Sequence, residues 1–137
     1  MPYRVLFSEA DCFGAVELSG AVRWGDLVSA IRALYSHPSW NRDFSVLWDG
    51  RAITSLDILP ADLPSIKAVL WETAEARAGG RAAVVTRNDE DATMALLLAH
   101  MGPPSDRVVG TFDGLEEALA FLGRCSLPEG AQVLASS

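Results

Sequence analysis

Lysine is almost missing from this chain of 137 residues: of its eleven basic residues only Lys67 is not arginine, and eighteen acids leave a formal net charge of −7. The bases stand singly along the sequence and never cluster. Phosphate backbones are bound by a concentrated positive face, so the pattern argues against nucleic acid as a partner and against an anionic membrane surface. Long apolar runs are absent too. The longest, Met94–Ala99, falls far short of the roughly 20 residues that cross a bilayer, so no membrane insertion is expected. The first residues, Met1-Pro-Tyr-Arg-Val-Leu-Phe, meet polar Ser8-Glu9 at once, unlike a signal peptide. The expected location is the cytoplasm.

Cysteine and histidine are as scarce. Cys12 and Cys125 lie far apart, outside any metal-type spacing, and read as two reduced thiols. His37 and His100 are the only histidines, too few for a histidine-rich metal site. No G-x-G-x-x-G or Walker pattern is present. No cofactor, no metal and no catalytic set is expected, and the chain reads as a non-enzyme.

What is present is half apolar in composition and long enough for one full core. Tyr3–Ser8 and Phe13–Ser19 read as short strands joined by a tight turn, hence antiparallel. Trp24, Leu27, Val28, Ile31, Leu34 and Tyr35 recur at helical spacing over about residues 22–36. Phe44–Trp48 is an apolar run of the kind a central strand needs. Asp62–Ala78 reads as a helix with Leu63, Ile66, Leu70 and Ala74 inward, closed by Gly79-Gly80. Ala82–Thr86 is a small-residue strand, and Asn88 or Asp89 caps a helix with Met94, Leu97, Leu98 and Met101 on one stripe. Arg107–Phe112 is a strand, and Asp113 opens a helix with Leu115, Ala118, Leu119 and Leu122 inward. The predicted fold class is α/β: a single domain, ββα followed by three βα units, with a mostly parallel sheet and right-handed crossovers. Residues 1–123 form the domain, and residues 124–137 read as a loosely packed tail.

Candidate binding residues gather where Phe44–Trp48 gives way to Asp49-Gly50-Arg51, because ligands of open α/β sheets bind beyond strand carboxyl ends. Asp49 and Arg51 are candidates to hold a ligand or partner, against the plain alternative that Asp49 accepts backbone N–H groups in its own turn. Thr54 and Ser55 are candidate phosphate acceptors, or simple turn hydroxyls. The acids at residues 89–91 fit dipole complementation at a helix start better than an anion site. Glu116 and Glu117 are adjacent, do not face each other and make no acid–base pair. His100 lies away from its helix's apolar stripe, a surface or interface position. Trp71, Leu96 and Phe121 fall outside the inward stripes and are candidate interface residues of a homodimer; with Trp24 and Trp40 they can equally line a pocket.

The element order, the strand ending Trp48-Asp49, and the terminal Val108-Val-Gly-Thr-Phe-Asp-Gly-Leu-Glu-Glu-Ala-Leu-Ala-Phe-Leu122 together resemble the SpoIIAA-like (STAS/SEC14) superfamily. The resemblance spans most of residues 3–123. It implies successive right-handed βα turns and either regulation through protein contact or binding of an apolar molecule. Its anti-sigma-factor-antagonist branch carries an Asp-Ser-Ser/Thr-Gly motif with a phosphorylated serine. Asp57 falls where that aspartate stands, but Ile58 and Leu59 replace the hydroxyl positions. The function expected on this basis is a binding or regulatory module, a homodimer with a protein partner; the alternative is a carrier of a small apolar molecule.

Overall fold

The computed structural model describes residues 2–136. Strand β1 (Tyr3–Ser8) turns through Glu9–Cys12 into β2 (Phe13–Arg23), antiparallel with Tyr3 opposite Leu18. The Ser8 hydroxyl donates to Asp11 at 2.6 Å and closes the turn. Helix α1 (Trp24–Tyr35) buries Leu27, Val28, Ala30, Ile31, Leu34 and Tyr35, the face its periodicity predicts. Strand β3 (Ser45–Asp57), helix α2 (Leu63–Glu72), β4 (Arg81–Val85), α3 (Asp89–Ala99), β5 (Val108–Phe112), α4 (Leu115–Phe121) and β6 (Gln132–Ser136) follow.

One six-stranded sheet results, in the order β5-β4-β3-β2-β1-β6. From β2 to β5 the strands are parallel, and β1 is antiparallel to both neighbours. The expected ββα start and the three βα units are all there. Because the parallel strands advance steadily in one direction, crossovers of one hand put their helices on one face. Val5, Val16, Val46 and Ala82 from the sheet meet Leu27, Ile31, Ile66 and Leu70 of α1 and α2 there. Leu98 of α3 packs against this cluster as well. The other face is covered by α4, whose Ala118 and Leu119 lie over Phe13, Ala15, Leu47, Ala83 and Val85, and by the segment after it through Leu122 and Leu127.

Three expectations change. Strand β3 does not end at Trp48-Asp49. Only Val46–Asp49 pair with β4; beyond them β3 continues to Asp57 beside β2 alone, with bulges at Glu17/Ser19 and Gly20/Ala21. That ribbon has one apolar side, so Ile53 is buried while Arg51, Ala52, Thr54 and Ser55 are exposed. Gly20, at φ +68°, supplies the left-handed backbone at the second bulge and lets β2 run on to Arg23. Secondly, α2 stops at Glu72 and not near Ala78: the Thr73 hydroxyl bonds back to the Val69 carbonyl at 2.8 Å, and turns lead to Gly79-Gly80. Gly80 sits at φ +72°, where a Cβ would lie 2.6 Å from the Phe44 carbonyl oxygen. Thirdly, the tail is not loosely packed: Gln132–Ser136 pair with β1 as an antiparallel edge strand. Strand β5 and β6 lie at opposite edges, so α4 and the segment after it cross the whole back of the sheet.

Candidate functional site

The structure places the predicted Asp49 and Arg51 inside β3, on the sheet face not covered by α1–α3. Positions i and i+2 of a strand share a face, and Arg51 closes on Asp49 through two hydrogen bonds of 2.9 and 2.8 Å. Burial pushes the Asp49 carboxyl up, but the hydrogen bonds and charge of Arg51 outweigh it and hold the group below the usual carboxylate range. Glu17 stands opposite Asp49 on β2 and pairs with Arg4 of β1 at 2.8 Å. The four side chains make a polar row across three strands, and each carboxylate has its arginine. Thr54 and Ser55 lie further along the ribbon, exposed; the Thr54 carbonyl accepts from Arg87 Nη1 at 2.7 Å. The structure does not bring Thr54 and Ser55 together with the Asp49–Arg51 pair.

The three candidate interface residues do not share a surface. Trp71 is 53% and Leu96 41% exposed on the α2–α3 side. Phe121 belongs to α4 on the opposite face, where its ring packs 5.2 Å from Phe112 under the Arg81 guanidinium. Leu97, expected inward, is 46% exposed. Trp40 is a core anchor: its indole N–H donates to the Ala76 carbonyl at 2.8 Å, and its ring meets Tyr35 and Phe44 edge-on. His37 lies against Phe7, and the His100 ring engages the Leu96 carbonyl at the end of α3. Both cysteines are free and exposed.

Between the sheet and the α1–α2–α3 layer lies a cavity of about 190 Å³. Its floor is Trp48, Gly50, Ile53, Ala82 and Val84; α1 and α2 wall it with Ile31, Ile66 and Leu70; α3 roofs it with Met94, Ala95 and Leu98. The lining is apolar, mainly aliphatic, except at its two ends. At the carboxyl edge of β4 stand Thr86 and Asp91, the latter ion-paired with Arg87 at 2.6 Å, its backbone N–H donating to the capping Asn88 side chain. Arg87 also reaches the Ile53 and Thr54 carbonyls, tying β3 to the start of α3.

At the opposite edge Tyr35, Arg77 and Arg107 meet. They come from the last residue of α1, the turns after α2 and the loop before β5. Arg107 donates Nη1 to the Tyr35 hydroxyl at 2.9 Å and Nε to the Gly79 carbonyl at 3.4 Å, while its buried Nη2 has no protein partner. Arg77 donates to the Thr73 hydroxyl at 3.0 Å and to the Leu70 carbonyl. Burial lowers the Arg77 pKa, Tyr35 draws it back up, and Arg107 lowers it further. Sequence reasoning missed all three residues. Their separations along the chain match no motif, and only the fold brings them together.

No family model matches this chain, and no curated protein does. Among solved structures it is similar to an uncharacterised protein of the DUF3478 family with a SpoIIAA-like fold from Shewanella loihica PV-4. The match has a TM-score of 0.55 and 15% identity, and it covers 88% of this chain and 91% of that one. The fold is SpoIIAA-like. That agrees with the resemblance drawn from the element order and the terminal motif. At 15% identity the likeness carries the architecture alone. No helix among the described residues is long and apolar enough to cross a membrane.

Proposed function

We propose that this protein is a non-enzymatic binding module that takes a small apolar molecule into the cavity beneath α3. The observation that carries the reading is the cavity itself: about 190 Å³ walled mainly by aliphatic side chains. A dry apolar void of roughly 150 Å³ already takes up benzene, whereas drug-sized ligands occupy roughly 300–1,000 Å³. The occupant is therefore a single ring or a short chain. The Asp49 and Asp91 carboxylates are each engaged by an arginine, Arg51 and Arg87, which supports a binding role over catalysis for those two groups.

The test is a titration of isotope-labelled protein with 1-octanol, followed by amide and methyl NMR. Shifts are expected at Ile53, Ile66, Met94 and Leu98. Saturating octanol without shifts at these residues sinks the proposal.

A second reading, regulation through protein contact as a homodimer, is favoured by Trp71, Leu96 and Leu97. These large apolar side chains are 53%, 41% and 46% exposed on adjoining helices. Analytical ultracentrifugation tests it, since a monomer at high concentration removes the two-fold contact.

A further inference from the structure

We infer that the ligand of this cavity carries a carboxylate, held by Arg107 and Arg77 at the edge where α1 ends and β5 begins. The inference rests on the cavity reading above and adds a head group to it. Four ion pairs occur among the described residues, and they use Arg4, Arg32, Arg51 and Arg87. Arg77 and Arg107 have none. Asp43 lies beside Gly79 in the same region but pairs with neither arginine. Two guanidiniums thus approach one cavity mouth without a neutralising carboxylate, although acids outnumber bases eighteen to eleven in the chain.

Burying cationic donors without an acceptor is costly. A water molecule can satisfy Arg107 Nη2, but it leaves both charges in place. A carboxylate satisfies the donor and neutralises charge together, and the planar guanidinium fork matches its two oxygens. Arg107 is also pre-oriented: Tyr35 holds Nη1, the Gly79 carbonyl holds Nε, and Nη2 is left over. Beyond it the wall is apolar as far as Thr86 and the Arg87-paired Asp91, which leaves no free cation for a second carboxylate. The ligand class is a monocarboxylate with one ring or a short chain.

The experiment compares octanoate, 1-octanol and acetate by titration calorimetry on wild type, Arg107→Gln and Arg77→Gln, each checked for folding by thermal melt. In wild type, octanoate is expected to bind at least tenfold more tightly than octanol, with acetate weaker than both. Arg107→Gln should bring octanoate to the octanol level and leave octanol unchanged. In wild type, octanoate but not octanol should also shift the Nε–Hε NMR signal of Arg107, a readout that needs no variant. Octanol binding as tightly as octanoate refutes the head-group site and leaves the cavity reading standing. Octanoate binding that survives both substitutions refutes it as well. No binding of either chain molecule removes the cavity reading and this inference with it.

Discussion

Filling the cavity tests the cavity itself, apart from any ligand. Ala95 lines it from α3, and Ala95→Leu adds three carbons there at almost no cost in helix propensity. At about 0.8 kcal/mol per buried carbon the gain is at most about 2.4 kcal/mol. Ordering the leucine side chain costs about 0.5–1 kcal/mol. A net gain of about 1.5 kcal/mol remains, and at about 4 °C per kcal/mol for a domain of this size the melting temperature rises by about 6 °C. Thermal and urea melts followed by circular dichroism measure it, and the same variant should no longer bind 1-octanol. Overpacking an already filled core costs about 1–3 kcal/mol. A loss in that range would mean that α3 already rests on the sheet, and the cavity reading would fail.

Leu47 is 1% exposed on β3 between Ala15 and Ala83; Leu47→Asp should abolish soluble folding, since an unpaired buried carboxylate costs several kcal/mol against a total near 5–15, and a cooperative melt of the variant would contradict the packing. Gly80→Ala should cost about 2 kcal/mol or more in urea unfolding, because left-handed backbone alone costs an L-residue about 1–2 kcal/mol and its Cβ would crowd the Phe44 carbonyl; a neutral result would dismiss the clash. Asp49→Ala should cost about 1 kcal/mol or less, as its arginine is half exposed and screened. The folded Asp49 pKa is depressed, so its contribution is present above the unfolded value of about 3.9 and is lost as pH falls below it. Wild type and variant should therefore differ at pH 6 and converge in acid; a gap that persists there would assign the effect to packing. Trp71→Glu or Leu96→Glu should convert any dimer to a folded monomer, and a dimer unchanged in both would place the contact elsewhere.

The parts of the fold legible in the sequence are those where one residue pattern has one explanation. Phe44–Trp48 is apolar on both sides because α-helices cover both faces of β3 there. Its continuation to Asp57 is not legible, because Arg51, Ala52, Thr54 and Ser55 face solvent from a two-stranded ribbon and read as a loop. Strand β6 is hidden for a similar reason. It is an edge with one neighbour, Val133 is half exposed, and Pro128 and Gly130 signal turns just before it. In α3 the leucines at 96–98 allow several apolar stripes, and the inward one proves to be Met94, Ala95 and Leu98, with Leu97 outside. Asp49 and Arg51 stand out as a sequence signal because charge follows an apolar run. That signal marks where α4 ceases to cover the sheet, a change of solvent exposure.

The cavity nevertheless has a cause in the sequence. Ala82 in its floor and Ala95 in its roof are small side chains on packed layers, and small residues leave volume unless the elements close in. Helix α3 is pinned at both ends against closing in. At its start Arg87 binds the Ile53 and Thr54 carbonyls while pairing with Asp91. At its end the Trp71 indole donates to the Met101 carbonyl at 3.2 Å. A helix held at both ends over small side chains cannot relax into the space beneath it, the condition under which a void persists instead of collapsing. The exposed Trp71 thus has an inward function as well as an outward face. Trp71→Phe, which keeps the ring and removes the donor, separates the two: amide hydrogen exchange in α3 should speed up while sedimentation stays as in wild type, and unchanged exchange would dismiss the pin.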